Sequence, residues 1–286
     1  MLEELKDFPW EDIRSKGFLH VKGFIPESEL SILRRDWSER AIVGGENGNY
    51  PIIDISQTVV WRFYRKMKFV CAAVRAASGI NADADAGGSS YFSTGKGIDF
   101  CWHQDPESYF IYQQHFDYLN FYIPVLKPNP NLTNLCVVPF DRLEACMPDL
   151  LHKIVGSGAK RFFPQGDETI VYDDDDGSQF ILPVNFEKLM VVPELSPGDL
   201  LLLRGDIIHR TQDTLTERVA ASFRWTSSSA VISKAKFEGG CAKKKDMMQK
   251  NWPLYESLLA CLHELKQEQI TAGQFHSYVM RKGTGA

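Results

Sequence analysis

The chain has 286 residues, 44% of them hydrophobic and 24% charged, with a formal net charge of −5. That balance supplies a core and excludes general disorder, and the acidic excess disfavours a nucleic-acid binder. The longest aliphatic run, Leu200-Leu-Leu-Leu203, is far short of a bilayer span, and the charged start Met1-Leu-Glu-Glu-Leu-Lys6 shows no apolar leader core. Six cysteines, at 71, 101, 136, 146, 241 and 261, are scattered without a C-x-x-C pair. They read as free thiols of a cytoplasmic protein, with neither a membrane nor an obligate protein partner expected.

In chain order, Gly17-Phe-Leu-His-Val-Lys-Gly23 reads as a short strand between glycine turns. Pro26 suits a first helical position, because Leu30, Leu33 and Trp37 then recur at three- and four-residue steps. A second helix is expected over 59–77, stopped by Ser78-Gly79. The middle of the chain changes character. Residues 100–103, 118–124, 135–139, 179–183, 200–204 and 219–225 are short runs rich in aromatic or branched side chains. Turn chemistry separates them, as in Lys127-Pro-Asn-Pro-Asn131, Pro164-Gln-Gly166 and Ser196-Pro-Gly-Asp199. Such runs predict an antiparallel sandwich or barrel. Pro253 opens a helical pattern carrying Leu254, Leu258, Leu262 and Leu265, and Thr271 with Gln274 resembles a capping box. The expectation is one unit, residues 1–286, of α+β, mainly β class. Its β core covers about 90–226, with helical support over 1–89 and helices again over 250–282.

Two charged stretches stand out. Asp173-Asp-Asp-Asp176 is expected to be a solvated loop tip, the alternative being an acidic face turned to a cationic substrate or metal at a cavity mouth. Lys234, Lys236, Lys243, Lys244, Lys245 and Lys250 are expected on a solvated loop. They lack the interleaved aromatics of a nucleic-acid surface. Asn131-Leu-Thr133 fits a glycosylation sequon, which a cytoplasmic chain would not use.

The chemistry lies in the histidines. Two of seven open an H-x-D triplet, His103-Gln-Asp105 and His115-Phe-Asp117, and either alone is weak evidence. On a strand, residues i and i+2 share a face, so one such imidazole and carboxylate can hold a metal ion from one side. A histidine from a distant strand would complete a facial triad with three positions open, which suits non-haem Fe(II). His209, after a turn, a buried strand and a second turn, is the candidate. Nine residues on, Arg218 opens a strand whose alternation puts Arg218, Ala220, Ser222 and Arg224 on one face. A guanidinium buried there needs an anion, and a dicarboxylate cosubstrate would supply one through a bidentate fork. Arg224 either binds substrate or pairs with an acidic core residue.

Taken in order, these segments resemble the Fe(II)/2-oxoglutarate dioxygenases, within them the phytanoyl-CoA-hydroxylase-like group that includes ectoine hydroxylase. Gly17-Phe-Leu-His-Val-Lys-Gly-Phe24 resembles the opening of that family, and Ser93-Thr-Gly-Lys-Gly-Ile-Asp-Phe-Cys-Trp-His-Gln-Asp105 its iron strand and lead-in. Asn134-Leu-Cys-Val-Val-Pro139, Pro197-Gly-Asp199, His209 and Arg218 follow in the family's order, so that the resemblance spans about residues 17–226. It implies a double-stranded β-helix (jelly-roll, cupin-like) core flanked by helices, with Fe(II) held by His103, Asp105 and His209. The His115 triplet fits less well. The family's iron strand precedes, by under twenty residues, a core strand with an aromatic cosubstrate contact, and 118–124 fits that strand only if His103 and Asp105 are the ligands. The resemblance further implies that 2-oxoglutarate is held by Arg218 and Thr211 at its distal carboxylate, with Tyr122 as the aromatic contact and Asn120 on the same face.

The implied reaction consumes O2 and releases succinate and CO2, with hydroxylation of an unactivated C–H bond as the default outcome. Asp105 argues against halogenation. Pro139-Phe-Asp-Arg142 departs from the family's usual G-S-H turn. A lid is expected over 106–116, with Tyr109, Tyr112 and His115, together with the insertion between Arg142 and Phe180. Tyr109 and Arg224 are the substrate candidates. No basic site for an acyl-CoA is evident, so a small polar metabolite is expected. The acidic run would suit a cationic or zwitterionic one, such as an amino-acid derivative or a guanidine alkaloid of the kind handled in cylindrospermopsin biosynthesis. Two other classes stand beside this one: a non-catalytic β-sandwich that binds metal or a small acid as a sensor, and a Zn(II) hydrolase or isomerase on a cupin-like barrel.

Overall fold

A computed structural model describes residues 8–43, 52–94, 100–112, 116–156, 158–251 and 254–283. The short helix α1 (Asp12–Lys16) ends on Gly17 at φ +81°, where a Cβ would stand 2.4 Å from the Phe140 ring. Glycine is therefore required both by the left-handed backbone and by the close approach. Strand β1 (Phe18–Val21), helix α2 (Glu27–Val43) and strand β2 (Ile52–Asp54) follow. Helix α3 (Gln57–Ser78) buries Val59, Phe63, Met67, Val70 and Val74 at three- and four-residue steps and stops at Gly79.

Next come β3 (Ala84–Asp85), β4 (Ser90–Ser93), β5 (Trp102–His103), β6 (Leu119–Leu126), β7 (Leu135–Val138), β8 (Lys160–Gln165) and β9 (Glu168–Asp173). Strands β10 (Gln179–Leu182), β11 (Leu200–Arg204), β12 (Ile208–Thr211) and β13 (Val219–Thr226) complete two antiparallel sheets. One runs β1-β11-β6-β13-β4-β2, with β3 also on β13, and the other runs β10-β9-β8-β5-β12-β7.

Period-two alternation sorts the side chains of the central strands between two cores. Leu119, Phe121, Ile123 and Val125 of β6, Leu200 and Leu202 of β11, and Phe223 and Trp225 of β13 pack outward with residues of α2 and α3. Tyr122, Leu201, Leu203 and Ala220 point inward, among residues of the smaller sheet. Each fully buried Leu or Phe contributes about 1.5–3 kcal/mol. A one-residue slip of these strands would exchange the two faces, so the register is strongly fixed.

The expected runs correspond to β6, β7, β10, β11 and β13 within two residues at each end, whereas 100–103 shortens to β5. The expected strand over 17–23 is β1, which pairs with β11, and β2, paired with β4, adds a second strand to the helical support over 1–89. The insertion between Arg142 and Phe180 is built of regular elements. Its helix α5, numbered after α4 (Pro106–Phe110), runs Phe140–Cys146, and its strands β8 and β9 extend the smaller sheet beyond β5. The lysines, contrary to expectation, do not lie on a solvated loop. They fall on helices α6 (Lys234–Glu238) and α7 (Ala242–Asn251), and Lys244 is only 1% exposed.

That helical pair meets the acidic run. Asp173 pairs with Lys160, Asp174 with Arg161 and Lys243, and Asp175 with Lys244. Three of the four aspartates are thus neutralised within the chain, while Asp176 is exposed at the turn. Helix α8 (Leu254–Leu265) precedes α9 (Ala272–Gly283), which has the expected reciprocal cap between Thr271 and Gln274. Pro253 lies outside the described residues. Among those residues no helix is long and apolar enough to cross a membrane, and none of the six cysteines forms a disulfide.

Candidate metal and cosubstrate site

Between the sheets lies a cavity of about 940 Å³. Strands β5 and β12 pair so that His103 and His209 stand directly opposite each other, with ring centroids 4.3 Å apart. Asp105 follows β5 at the N-terminus of α4, whose first residue is Pro106. Its Oδ1 lies 3.7 Å from His103 Nε2 and 3.6 Å from His209 Nε2. The three side chains each offer a ligand atom, all within 4.8 Å of one another.

The backbone prepares both imidazoles. His103 Nδ1 faces the Cys101 carbonyl at 2.8 Å, and His209 Nδ1 faces the Ile207 carbonyl at 3.1 Å. A carbonyl can only accept, so Nδ1 carries the proton in each neutral ring and the Nε2 lone pair is left for a ligand. Burial lowers the His209 pKa to about 4, aided by the His103 charge. Burial opposes the charge on Asp105 as well, but His209, His103 and Arg224 outweigh it and hold the carboxyl well below the usual range. Burial also works against His103 protonation, yet the hydrogen bond and charge of Asp105 leave that pKa raised. Two neutral nitrogens and one carboxylate oxygen on one side of a cavity form the donor set of a facial triad, and they fit Fe(II).

The second expected feature lies at the entry to β13. Arg218 is 2% exposed, donates from Nη1 to the Thr133 carbonyl at 2.9 Å, and stands over the Tyr122 ring at 5.5 Å. No ion pair to it is found among the described residues, and its Nε has no hydrogen-bond partner. Thr211, two residues after His209 on β12, is fully buried with an equally unpartnered Oγ1. Arg218, Thr211 and Tyr122 all line the cavity. A buried, unpaired guanidinium in the same cavity as an orphaned hydroxyl fits a carboxylate cosubstrate, because a ligand would satisfy what the protein leaves open.

The remaining expected residues divide. Arg224 lines the cavity but is already paired, with Nη2 3.2 Å from Glu107 Oε1 and Nη1 donating to the Gly88 carbonyl at 2.6 Å. Asn120 lines it too, yet its hydrogen bonds go to Asp105 and Ser222. Tyr109 does not line it. Its ring lies 4.1 Å from Lys236 Nζ and its hydroxyl beside Asp175, where burial and that charge push its pKa up to about 12. Of the expected lid, Pro106, Glu107, Ile111 and Tyr112 line the cavity, while residues 113–115, His115 among them, lie outside the described residues. Asp117 is engaged elsewhere, accepting from the Asn81 backbone N–H at 2.7 Å. The lead-in residues 95–99 also lie outside.

Sequence reasoning did not single out Glu107 or Arg161, both on the cavity wall. Arg161 stands opposite His103 across the β5–β8 pairing and binds Asp174 through Nε and Nη2. Glu107 falls within the expected lid, and Asp174, from the run read as a candidate acidic face at a cavity mouth, does line the cavity.

No protein-family model and no curated protein sequence matches the chain. Solved structures do. SnoK, the non-heme alpha ketoglutarate dependent carbocyclase from nogalamycin biosynthesis, aligns with a TM-score of 0.55 at 11% identity, over 87% of this chain and 92% of its own. EctD from S. alaskensis, solved with 2-oxoglutarate and 5-hydroxyectoine, aligns with a TM-score of 0.52 at 14% identity, over 86% and 81%. At these identities the likeness is one of fold.

Proposed function

We propose that this protein is an Fe(II)- and 2-oxoglutarate-dependent oxygenase of the phytanoyl-CoA-hydroxylase-like kind, with its two sheets forming a double-stranded β-helix. One observation carries the reading: the His103, Asp105 and His209 donor atoms converge in the same cavity as the unpaired Arg218 guanidinium. His103 and His209 would hold the iron through Nε2 and Asp105 through Oδ1, while Arg218 and Thr211 would hold the distal carboxylate of 2-oxoglutarate against the Tyr122 ring. The bound pair supplies oxidative decarboxylation with O2, giving succinate, CO2 and one oxygen atom for a C–H bond. The chain itself contributes position and dryness. Leu135, opposite Thr211, and Tyr122, under Arg218, line the cavity there, and Arg218 would neutralise a carboxylate where water is scarce.

For substrate we propose a small polar metabolite that is hydroxylated. The pairing within 173–176 removes that run as support for a cationic partner. What supports one now is the Glu107–Arg224 pair on the cavity wall. A zwitterionic amino-acid derivative could exchange partners with it, ammonium to Glu107 and carboxylate to Arg224, and a guanidine alkaloid could meet Glu107. Arg161 and Arg224 are both neutralised by carboxylates, which disfavours a polyphosphate such as an acyl-CoA. The six free thiols support a cytoplasmic location.

The test is succinate formation from 2-oxoglutarate by protein loaded anaerobically with Fe(II). Turnover is expected in the wild type and none in Asp105→Ala or His209→Ala. Wild-type turnover in either variant would remove the triad, and a wild type that makes no succinate would leave a binding protein.

A further inference from the structure

The two oxygens of Asp105 have different surroundings. Oδ1 belongs to the ligating triangle, 3.7 Å and 3.6 Å from the two imidazole Nε2 atoms. Oδ2 accepts from Asn120 Nδ2 at 3.3 Å. The Asn120 Oδ1 in turn accepts from Ser222 Oγ at 2.7 Å. Asn120 is 7% exposed on β6 and Ser222 is 1% exposed on β13, the paired strands at the centre of the larger sheet.

The chemistry dictates the direction of this chain. An ionised carboxylate only accepts, so the amide must turn its NH2 toward Asp105 and its oxygen toward Ser222. The serine hydroxyl, able to donate or accept, is then obliged to donate. With its amide so engaged, Asn120 has a task beside the cosubstrate contact expected from sequence.

Resting on the metal-site reading above, we propose that Asn120 and Ser222 are positioning residues that hold Asp105 to ligation through one oxygen. The consequence is a matter of counting. Two imidazoles and one carboxylate oxygen leave three of six positions open. A keto acid that chelates through two atoms, plus O2, needs all three. A second oxygen from Asp105 would occupy one of them. Asn120 withholds that oxygen, and Ser222 keeps Asn120 from turning. Both strands are central and packed on two faces, so the relay rests on rigid elements.

The probe is Co(II), titrated into the metal-free full chain and followed by its visible absorption, with thermal melting of each metal-free variant alongside. Asn120→Leu, close in size and unable to hydrogen-bond, is expected to weaken Co(II) binding by about 10- to 100-fold. It should also alter the band shape as both Asp105 oxygens close on the metal. Ser222→Ala should weaken binding by a smaller factor, and Ser222→Thr, which keeps the hydroxyl, should restore it. Should Asn120→Leu melt below the assay temperature, the Ser222 pair carries the test alone. Wild-type affinity and spectrum in Ser222→Ala would overturn the proposal, as would a Ser222→Thr variant no better than alanine. If the wild type takes up no Co(II), the metal-site reading falls first, and the relay with it. If it binds Co(II) and Asp105→Ala does not, the metal site stands whatever the relay variants show.

Discussion

Arg218, the residue before β13, and Arg224, within it, lie six residues apart, roughly 20 Å along an extended chain, and both line one cavity. Arg218 has a backbone carbonyl and an aromatic ring for company. Arg224 has a carboxylate, Glu107, and the Gly88 carbonyl. The same side chain is thus left open at one end of the cavity and closed at the other. Ser222 lies between them along the chain, and Asn120 stands opposite Arg224 across the β6–β13 pairing. A buried charge without a counterion costs stability unless something arrives to neutralise it. The contrast therefore marks the Arg218 end as the one built for an anion, and the Arg224 end as one already balanced.

The sharpest way to break this contrast is to truncate each arginine in turn. Arg218→Ala should raise the KM for 2-oxoglutarate by about two orders of magnitude, the ~3 kcal/mol typical of a buried charge pair that loses one partner. Its melting temperature should hold or rise, because the ligand-free protein loses an unpaired buried charge. Arg224→Ala should do the reverse. It strands Glu107, whose carboxyl burial already pushes up in pKa despite the arginine, and should cost about 2–4 kcal/mol of stability while leaving the KM for 2-oxoglutarate unchanged. Urea unfolding and succinate kinetics read both variants. An unchanged KM in Arg218→Ala with a raised KM in Arg224→Ala would exchange the two roles.

The triad in the same cavity should respond to pH unevenly. His103, with its pKa raised through Asp105, must give up a proton to ligate, whereas His209 is neutral down to about pH 4. Below the His103 pKa, metal affinity should therefore weaken by about tenfold for each pH unit lost, driven by one proton rather than two. Co(II) titrations between pH 5.5 and 7.5 measure the slope. A flat profile would mean that His103 is neutral throughout, and a slope of two that both imidazoles are charged.

How much of this contrast could be read from sequence follows from the reach of each interaction. Helix α3 and the inward face of β13 repeat at 3.6 and 2 residues, and β11 is an unbroken apolar run, so their patterns are legible. The triad was legible because His103 and Asp105 sit at i and i+2, with His209 and Arg218 following in family order. Strands β8 and β9 were not. Lys160 and Arg161 begin β8 and Pro164 lies within it, a composition that reads as a loop until Asp173 and Asp174 are seen to neutralise those charges. The Glu107–Arg224 pair spans 117 residues, and no local pattern announces it. The relay through Asn120 was half visible. Alternation put Asn120 and Ser222 on inward faces, but only the folded register shows that the amide spends its hydrogen bonds on Asp105 and Ser222.

The smallest expected effect tests the open end most finely. Thr211 Oγ1 is buried and unpartnered, so in the ligand-free protein its hydroxyl is a cost rather than a contribution. Thr211→Val keeps the shape and removes that polar atom. Stability should therefore stay level or rise by up to about 1 kcal/mol. If the hydroxyl donates to the distal carboxylate of 2-oxoglutarate, the same change removes one charge-assisted hydrogen bond. The KM should then rise by about tenfold, or ~1.5 kcal/mol, less than for Arg218→Ala, with kcat nearly constant because the lost contact is made equally in ground and transition states. Stability and cosubstrate affinity moving in opposite directions is the signature of a group reserved for a ligand. A loss of stability with an unchanged KM would return Thr211 to the ordinary core and leave Arg218 to hold the anion alone.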